Sequence, residues 1–128
     1  MEPASSNGKI CYVEIPSGSM DVHALGRFYA EVFGWSLRER SNGVLSFDDG
    51  VGQVSGMWVP GRAPASADGL RVSIMVDDAV ATLRSIEAHG GTILEGIGAH
   101  APEITARFAD AYGNVFSIYQ EPPQRESA

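Results

Sequence analysis

The sequence predicts an α+β fold made of two similar units, each a strand, a helix and three further strands. Two observations carry this. Apolar residues alternate with others in two separate stretches: Cys11, Val13 and Ile15, then Leu70, Val72, Ile74 and Val76. Period-two alternation marks a strand with one covered face. Each stretch is then followed by an acidic helix cap, a helical run and a Gly stop, in the same order. Aligning Gly34 with Gly91 gives an offset of 57 residues, which also sets Asp21 on Asp78 and Glu14 on Arg71. A two-residue difference in the loop after the first strand would set Tyr12 on Arg71 instead and leave the faces unchanged. Few residues are identical between the halves, so the repeat is one of organisation.

The first strand spans about 10–15 and is broken by Pro16 to Ser19. A helix follows from about Asp21 to Phe33, with Leu25, Phe28, Tyr29 and Val32 at helical spacing. Ser19 or Asp21 caps its start. Gly34 ends it, where a left-handed residue commonly terminates a helix. Short strands follow at 36–39, 43–47 and 53–59, with turns at Asn42-Gly43 and Asp48-Asp49-Gly50. Residues 60–69 are rich in Pro, Gly and Ala, lack periodicity and read as a connector. The second strand of alternating type runs from Leu70 to Val76. Asp77 or Asp78 caps a helix with Val80, Leu83 and Ile86 on one face, and Gly90-Gly91 stops it. Strands near 92–94, 105–109 and 115–120 complete the second unit, with Tyr112-Gly113-Asn114 as the last turn. The expectation is one domain over 1–128, with units at about 9–59 and 70–121.

Composition narrows the function. A chain of 128 residues with 44% hydrophobic and 20% charged residues is ordinary for a soluble globular domain. The formal charge is -7, from 9 Lys plus Arg against 16 Asp plus Glu. Phosphate binding needs clustered cations, so nucleic acid is excluded as the main partner, and an anionic membrane surface with it. The single Cys11 lies in an apolar run and reads as a buried, inert thiol. The polar stretch Met1 to Gly8 has no apolar signal core, and no apolar run reaches bilayer length. A cytoplasmic protein is the expectation.

Several pieces carry a family resemblance: Tyr12-Val13-Glu14-Ile15-Pro16, then Arg27-Phe28-Tyr29-Ala30-Glu31-Val32-Phe33-Gly34-Trp35, then Val76-Asp77-Asp78. His89-Gly90-Gly91-Thr92 and the Asp110-Ala111-Tyr112-Gly113-Asn114 turn extend it over about 10–121. The chain resembles the vicinal-oxygen-chelate superfamily of glyoxalase I, bleomycin-resistance proteins and extradiol dioxygenases. The resemblance implies two paired βαβββ modules forming a half-open barrel with a central cavity and helices on the convex side. It also implies a homodimer. The strand parity agrees with that division. Cys11, Val13, Ile15, Val72, Ile74, Val76, Phe116 and Ile118 form the apolar, helix-covered set. Tyr12, Glu14, Arg71, Ser73, Met75, Ser117 and Tyr119 form a mixed polar and aromatic face of the kind that lines a ligand cavity.

In metal-dependent relatives the ligands come from four strands. The matching positions here fall on Glu14 or Tyr12, on Gln53 or Ser55, on Arg71 and on Ser117. Arginine has no lone pair to offer, and serine is a poor ligand for divalent transition metals. The usual metal site is therefore read as absent, and no cofactor is predicted. His23, His89 and His100 lack chelating spacing and read as surface residues, with His100 in a loop able to fold over the cavity mouth. Glu14 and Arg71 stand at equivalent positions of the two halves, which the resemblance sets across the cavity from each other. Two readings stand side by side: a mutual ion pair joining the modules, or ligand binding, with Arg71 clamping an anion and Glu14 acting as general base. The sequence thus points to a small organic ligand held by Tyr12, Glu14, Gln53, Met57, Trp58, Arg71, Ser73, His100, Ser117 and Tyr119. Competing readings are a lyase or dioxygenase whose divalent metal sits on Glu14, Gln53 and His100, and a dimer that only sequesters a toxic compound or serves a regulatory partner.

Overall fold

The structure, a computed structural model, describes residues 10–64 and 71–122. The first half contains β1 (Tyr12–Gly18), α1 (Val22–Phe33), β2 (Ser36–Glu39), β3 (Leu45–Asp48) and β4 (Ser55–Pro60). The second contains β5 (Ser73–Met75), α2 (Ala79–Ala88), β6 (Thr92–Glu95), β7 (Ile104–Ala109) and β8 (Val115–Gln120). The strands form two four-stranded sheets of matching order, β1-β4-β3-β2 and β5-β8-β7-β6. In each, the first strand runs parallel to the last and the remaining pairs are antiparallel. The sheets are not closed into a barrel, as the half-open arrangement requires.

Local chemistry sets the helix ends where the sequence expects them. The Asp21 side chain accepts from the His23 N–H at the start of α1, and Gly34 ends the helix at φ 73°. Asp78 caps α2 by accepting from Ala81 N–H, while the Gln120 side chain accepts from Ala79 N–H at 2.7 Å. β1 departs from expectation because it continues through Pro16 to Gly18. β1 is an edge strand, where a residue without an N–H is tolerated, and the register shifts between Pro16 and Gly18. β5 is shorter than the alternation suggests, although Val72 C=O and Val76 N–H still bond to β8. Leu70 and connector positions 65–69 lie outside the described residues.

The core sits between the helices and the apolar sheet faces. Ile15, Phe116 and Ile118 are buried as their parity predicts. Cys11 is not: it precedes β1 and is exposed. Burial along β1 begins only at Ile15, so the covered zone ends before the strand's first residues do. α1 carries most of the contact between halves. Phe28 lies 6.2 Å from the Phe108 ring and Tyr29 lies 5.7 Å from both Trp58 and Phe116. Trp35 stacks on Tyr29 at 4.8 Å and on Phe47 at 4.5 Å. The Tyr29 hydroxyl donates to Asp110 at 2.7 Å. Burial, and then the Asp110 charge, raises its pKa well above the usual phenol value, so it stays a donor. No helix among the described residues is long and apolar enough to cross a membrane.

Candidate functional site

Cross-strand partners share a sheet face, so the register shows which predicted residues come together. One row on the first sheet reads Tyr12, Ser55, Asp48, Ser36, and the next reads Glu14, Met57, Ser46, Arg38. On the second sheet one row reads Ser73, Ser117, Arg107, Glu95 and another reads Met75, Tyr119, Thr105. Tyr12, Glu14 and Met57 therefore share the polar face of one sheet. Ser73, Ser117 and Tyr119 share that of the other. The helices cover the opposite faces, which leaves Tyr12 50% and Met75 64% exposed.

Other predicted residues stand elsewhere. Trp58 follows Met57 in an extended strand and so takes the opposite face. It is fully buried against Phe47 and Tyr29 and is core rather than cavity wall. Gln53 lies in the exposed turn before β4, and Arg71 lies exposed before β5. His100 lies in the exposed β6–β7 segment and is paired with Glu95 at 3.1 Å. Glu14 is held by the connector: Arg62 Nη1 donates to Glu14 Oε1 at 2.8 Å. Arg62 sits in the connector, and its carbonyl accepts from the Tyr112 hydroxyl at 3.2 Å. Sequence reasoning missed this residue; a lone cation beside Pro60-Gly61 was the available signal.

Each polar face also carries an ion pair, the first in keeping with strand parity and the second made by a register shift between Ile93 and Glu95. Arg38 grips Asp48 through two bonds, 2.9 and 3.1 Å, and the Ser55 hydroxyl donates to Asp48 at 2.6 Å. The Ser55 bond and then the Arg38 bond hold the Asp48 carboxyl below its ordinary value. On the second sheet the signs are exchanged, with Glu95 on β6 and Arg107 on β7, 3.5 Å apart. Burial alone would raise the Glu95 carboxyl, but the His100 hydrogen bond and then the nearby Arg107 guanidinium outweigh it and lower its pKa.

These donors do not fit the divalent metal used by many relatives. The Glu14 carboxylate is held by a guanidinium, Ser117 offers only a hydroxyl, and Arg71 offers no lone pair. Glu14, Gln53 and His100 do not converge, since Arg62 holds the first and Glu95 the last. Among the described residues, no three His, Cys, Asp or Glu side chains are grouped to hold an ion. A groove on the helix side of the seam between the halves meets the second polar face only at its rim, through Ser73 and Met75.

A family model for the glyoxalase-like domain matches residues 16–119. No curated protein matches the chain. Among solved structures, the chain is similar to a glyoxalase/bleomycin resistance protein/dioxygenase family enzyme from Burkholderia phytofirmans PsJN. Identity is 22%, coverage 85% of this chain and 95% of that one, and the TM-score 0.71. It is also similar to TnmS3, an antibiotic binding protein from Streptomyces sp. CB03234, at 21% identity over 92% of this chain and 99% of that one, TM-score 0.69. The fosfomycin resistance protein FosX from Listeria monocytogenes has a TM-score of 0.73 at 11% identity, covering 90% of this chain and 92% of its own. At these identities the structures show a shared fold. The family match over most of the chain shows that it belongs to the glyoxalase-like domain family of the vicinal-oxygen-chelate superfamily.

Proposed function

We infer that the chain is a binding protein that holds a small organic molecule on its open polar sheet faces without a catalytic metal. One observation supports this: each sheet buries one face under helices and turns the other, lined by hydrogen-bonding and aromatic groups and exposed at Tyr12 and Met75, away from them. Arg62, fixed by Glu14 and Tyr112, presents remaining guanidinium donors to an anionic group. Tyr12 and Tyr119 supply aromatic surface, with Met57 and Ser117 between the charged rows. The antibiotic-binding relative supports a binding role on this fold. Exposed Ile10, Tyr12 and Met75 support self-association as a homodimer, which light scattering tests directly.

The test is calorimetric titration of chelator-dialysed protein with a panel of aromatic carboxylates. Binding is expected to survive chelation. Arg62→Ala is expected to weaken it about tenfold, the loss of a charge-assisted hydrogen bond, and Tyr12→Ala to weaken it less. Binding that requires an added transition metal, or that ignores Arg62 and Tyr12, overturns the reading.

A further inference from the structure

The groove on the helix side has a volume of about 770 Å³, in the range of small-molecule sites. Its apolar lining includes Val13, Phe33, Trp35, Phe47 and Phe116, and its polar edge carries Asp49, Asp77 and Asp78. No described lining residue is cationic. The groove is bounded by the β3–β4 turn on one side and by β5 and the first turns of α2 on the other.

The fold's internal repeat shows what the groove lacks. The turn before β4 is Asp49-Gly50-Val51-Gly52-Gln53, and the turn before β8 is Asp110-Ala111-Tyr112-Gly113-Asn114. Both are closed alike. Asp49 Oδ1 accepts from the N–H groups of Gln53 and Val54, and Asp110 Oδ1 accepts from those of Tyr112, Gly113 and Asn114. At the second turn Tyr112 fills the seam: its ring lies so close to Gly18 that a Cβ there would collide with it. At the first turn the equivalent residue is Val51, 75% exposed, beside the groove.

We propose that this groove, which touches the second sheet's polar face only at Ser73 and Met75, is a second ligand site for a small amphipathic cation such as an arylalkyl ammonium. The ring takes the place that Tyr112 fills at the other seam. The ammonium meets Asp49, Asp77 and Asp78. Asp49 and Asp78 each use Oδ1 for backbone N–H groups, and the second oxygen of each carboxylate remains to accept from the cation. Charge complementarity selects the ligand: the edge is acidic and the chain is anionic overall.

The probe is 2-phenylethylammonium, with 2-phenylethanol as its neutral counterpart and 3-phenylpropanoate as its anionic one. Titration is followed by calorimetry and by chemical-shift changes at Trp35 and Val51. The ammonium is expected to bind at one equivalent, about tenfold tighter than the alcohol, with the anion weakest. Val51→Tyr plugs the groove and is expected to abolish binding. Asp49→Asn keeps an oxygen for the Gln53 and Val54 N–H groups, and both it and Asp77→Asn are expected to weaken the ammonium severalfold while sparing the alcohol. Because these variants leave the turns closed, they test the proposal even if Val51→Tyr folds poorly. Equal binding of ammonium and alcohol overturns the proposal. So does loss of ammonium binding in Arg62→Ala with no effect of Val51→Tyr, which would move it to the sheet faces. A dimer that Val51→Glu dissociates, with no ammonium bound by any form, would give the groove to a second copy and also overturn it.

Discussion

In the second half the turn before the last strand is tied across the seam. Asp110 accepts from the Tyr29 hydroxyl, and the Asn114 amide donates to Pro16 C=O at 2.7 Å. In the first half the matching turn is closed on itself through Asp49, and Val51 stands largely exposed at the edge of the groove. The helices differ in the same sense. α1 buries Leu25, Gly26, Phe28 and Tyr29, whereas α2 buries only Ala79 and Ile86. A duplicated plan thus yields one seam that is a core and one that is a groove. The difference is one of side-chain size and bonding: Ile86, one offset from Tyr29, has no hydroxyl to offer Asp49. Stability belongs to the seam at the Asp110 turn, and open space to the seam at the Asp49 turn.

The comparison breaks most sharply at the two turn aspartates. Asp110 and Asn114 are buried, and Asp110→Ala leaves the Tyr29 hydroxyl without its acceptor and takes one acceptor from the Asn114 amide, which keeps Pro16 C=O. The expected cost is about 3–5 kcal/mol, read from urea unfolding. Asp49→Ala removes bonds from two part-exposed N–H groups and is expected to cost about 1 kcal/mol. Equal losses would show that the turns do the same structural job.

The helices give the next contrast. Phe28→Ala opens a cavity where the two halves meet and is expected to cost about 3–4 kcal/mol. Leu83→Ala, on the half-buried face of α2, is expected to cost about 1–2 kcal/mol. A third pair concerns glycines. Gly18 and Gly52 both have positive φ, 55° and 74°, but only Gly18 faces a ring. Gly52→Ala meets open space and costs about 1 kcal/mol of backbone strain. Gly18→Ala adds a collision with Tyr112 and is expected to cost about 2–3 kcal/mol. Tyr112→Ala should then rescue part of the Gly18→Ala loss.

What the sequence made legible was what local chemistry decides. The span of α1 follows from Asp21, the helical spacing and Gly34, all within the element itself. The polar faces follow from alternation, and alternation should also have separated Met57 from Trp58, since neighbours on a strand cannot share a face. Extending the same parity to the short strands would have found Arg38, Asp48 and Arg107, whereas Glu95 joins that face only through a register shift after Ile93. The repeated Asp-x-x-Gly-Asn/Gln turn was present as residues and went unread. Other features depend on the other half of the chain. Pro16 remains in a strand because β1 is an edge. Cys11 is exposed because the covered zone stops short of it. Arg62 reaches Glu14 because the connector is pinned by Tyr112, which no spacing encodes.

The smallest expected effect concerns the sign-exchanged ion pairs, and it separates their causes. Asp48 and Glu95 both have lowered carboxyl pKa values in the folded chain. Each therefore binds its proton less readily folded than unfolded, so its contribution is complete above the ordinary carboxylate range and is lost as the pH falls through the folded value. Both carboxylates are partly exposed, at 33% and 28%, so the contributions are modest and screened by salt. Asp48 owes its shift first to a neutral hydroxyl, whereas Glu95 owes its lowering first to His100. Ser55→Ala should raise the Asp48 carboxyl in an NMR titration and leave Glu95 unmoved. His100→Gln should raise Glu95 alone. Added salt should erode the Glu95 shift more than the Asp48 shift, because a hydroxyl bond is not a pairing of charges. Equal salt sensitivity would mean that Arg38, not Ser55, governs Asp48, and the two sheets would then hold one device in opposite polarity.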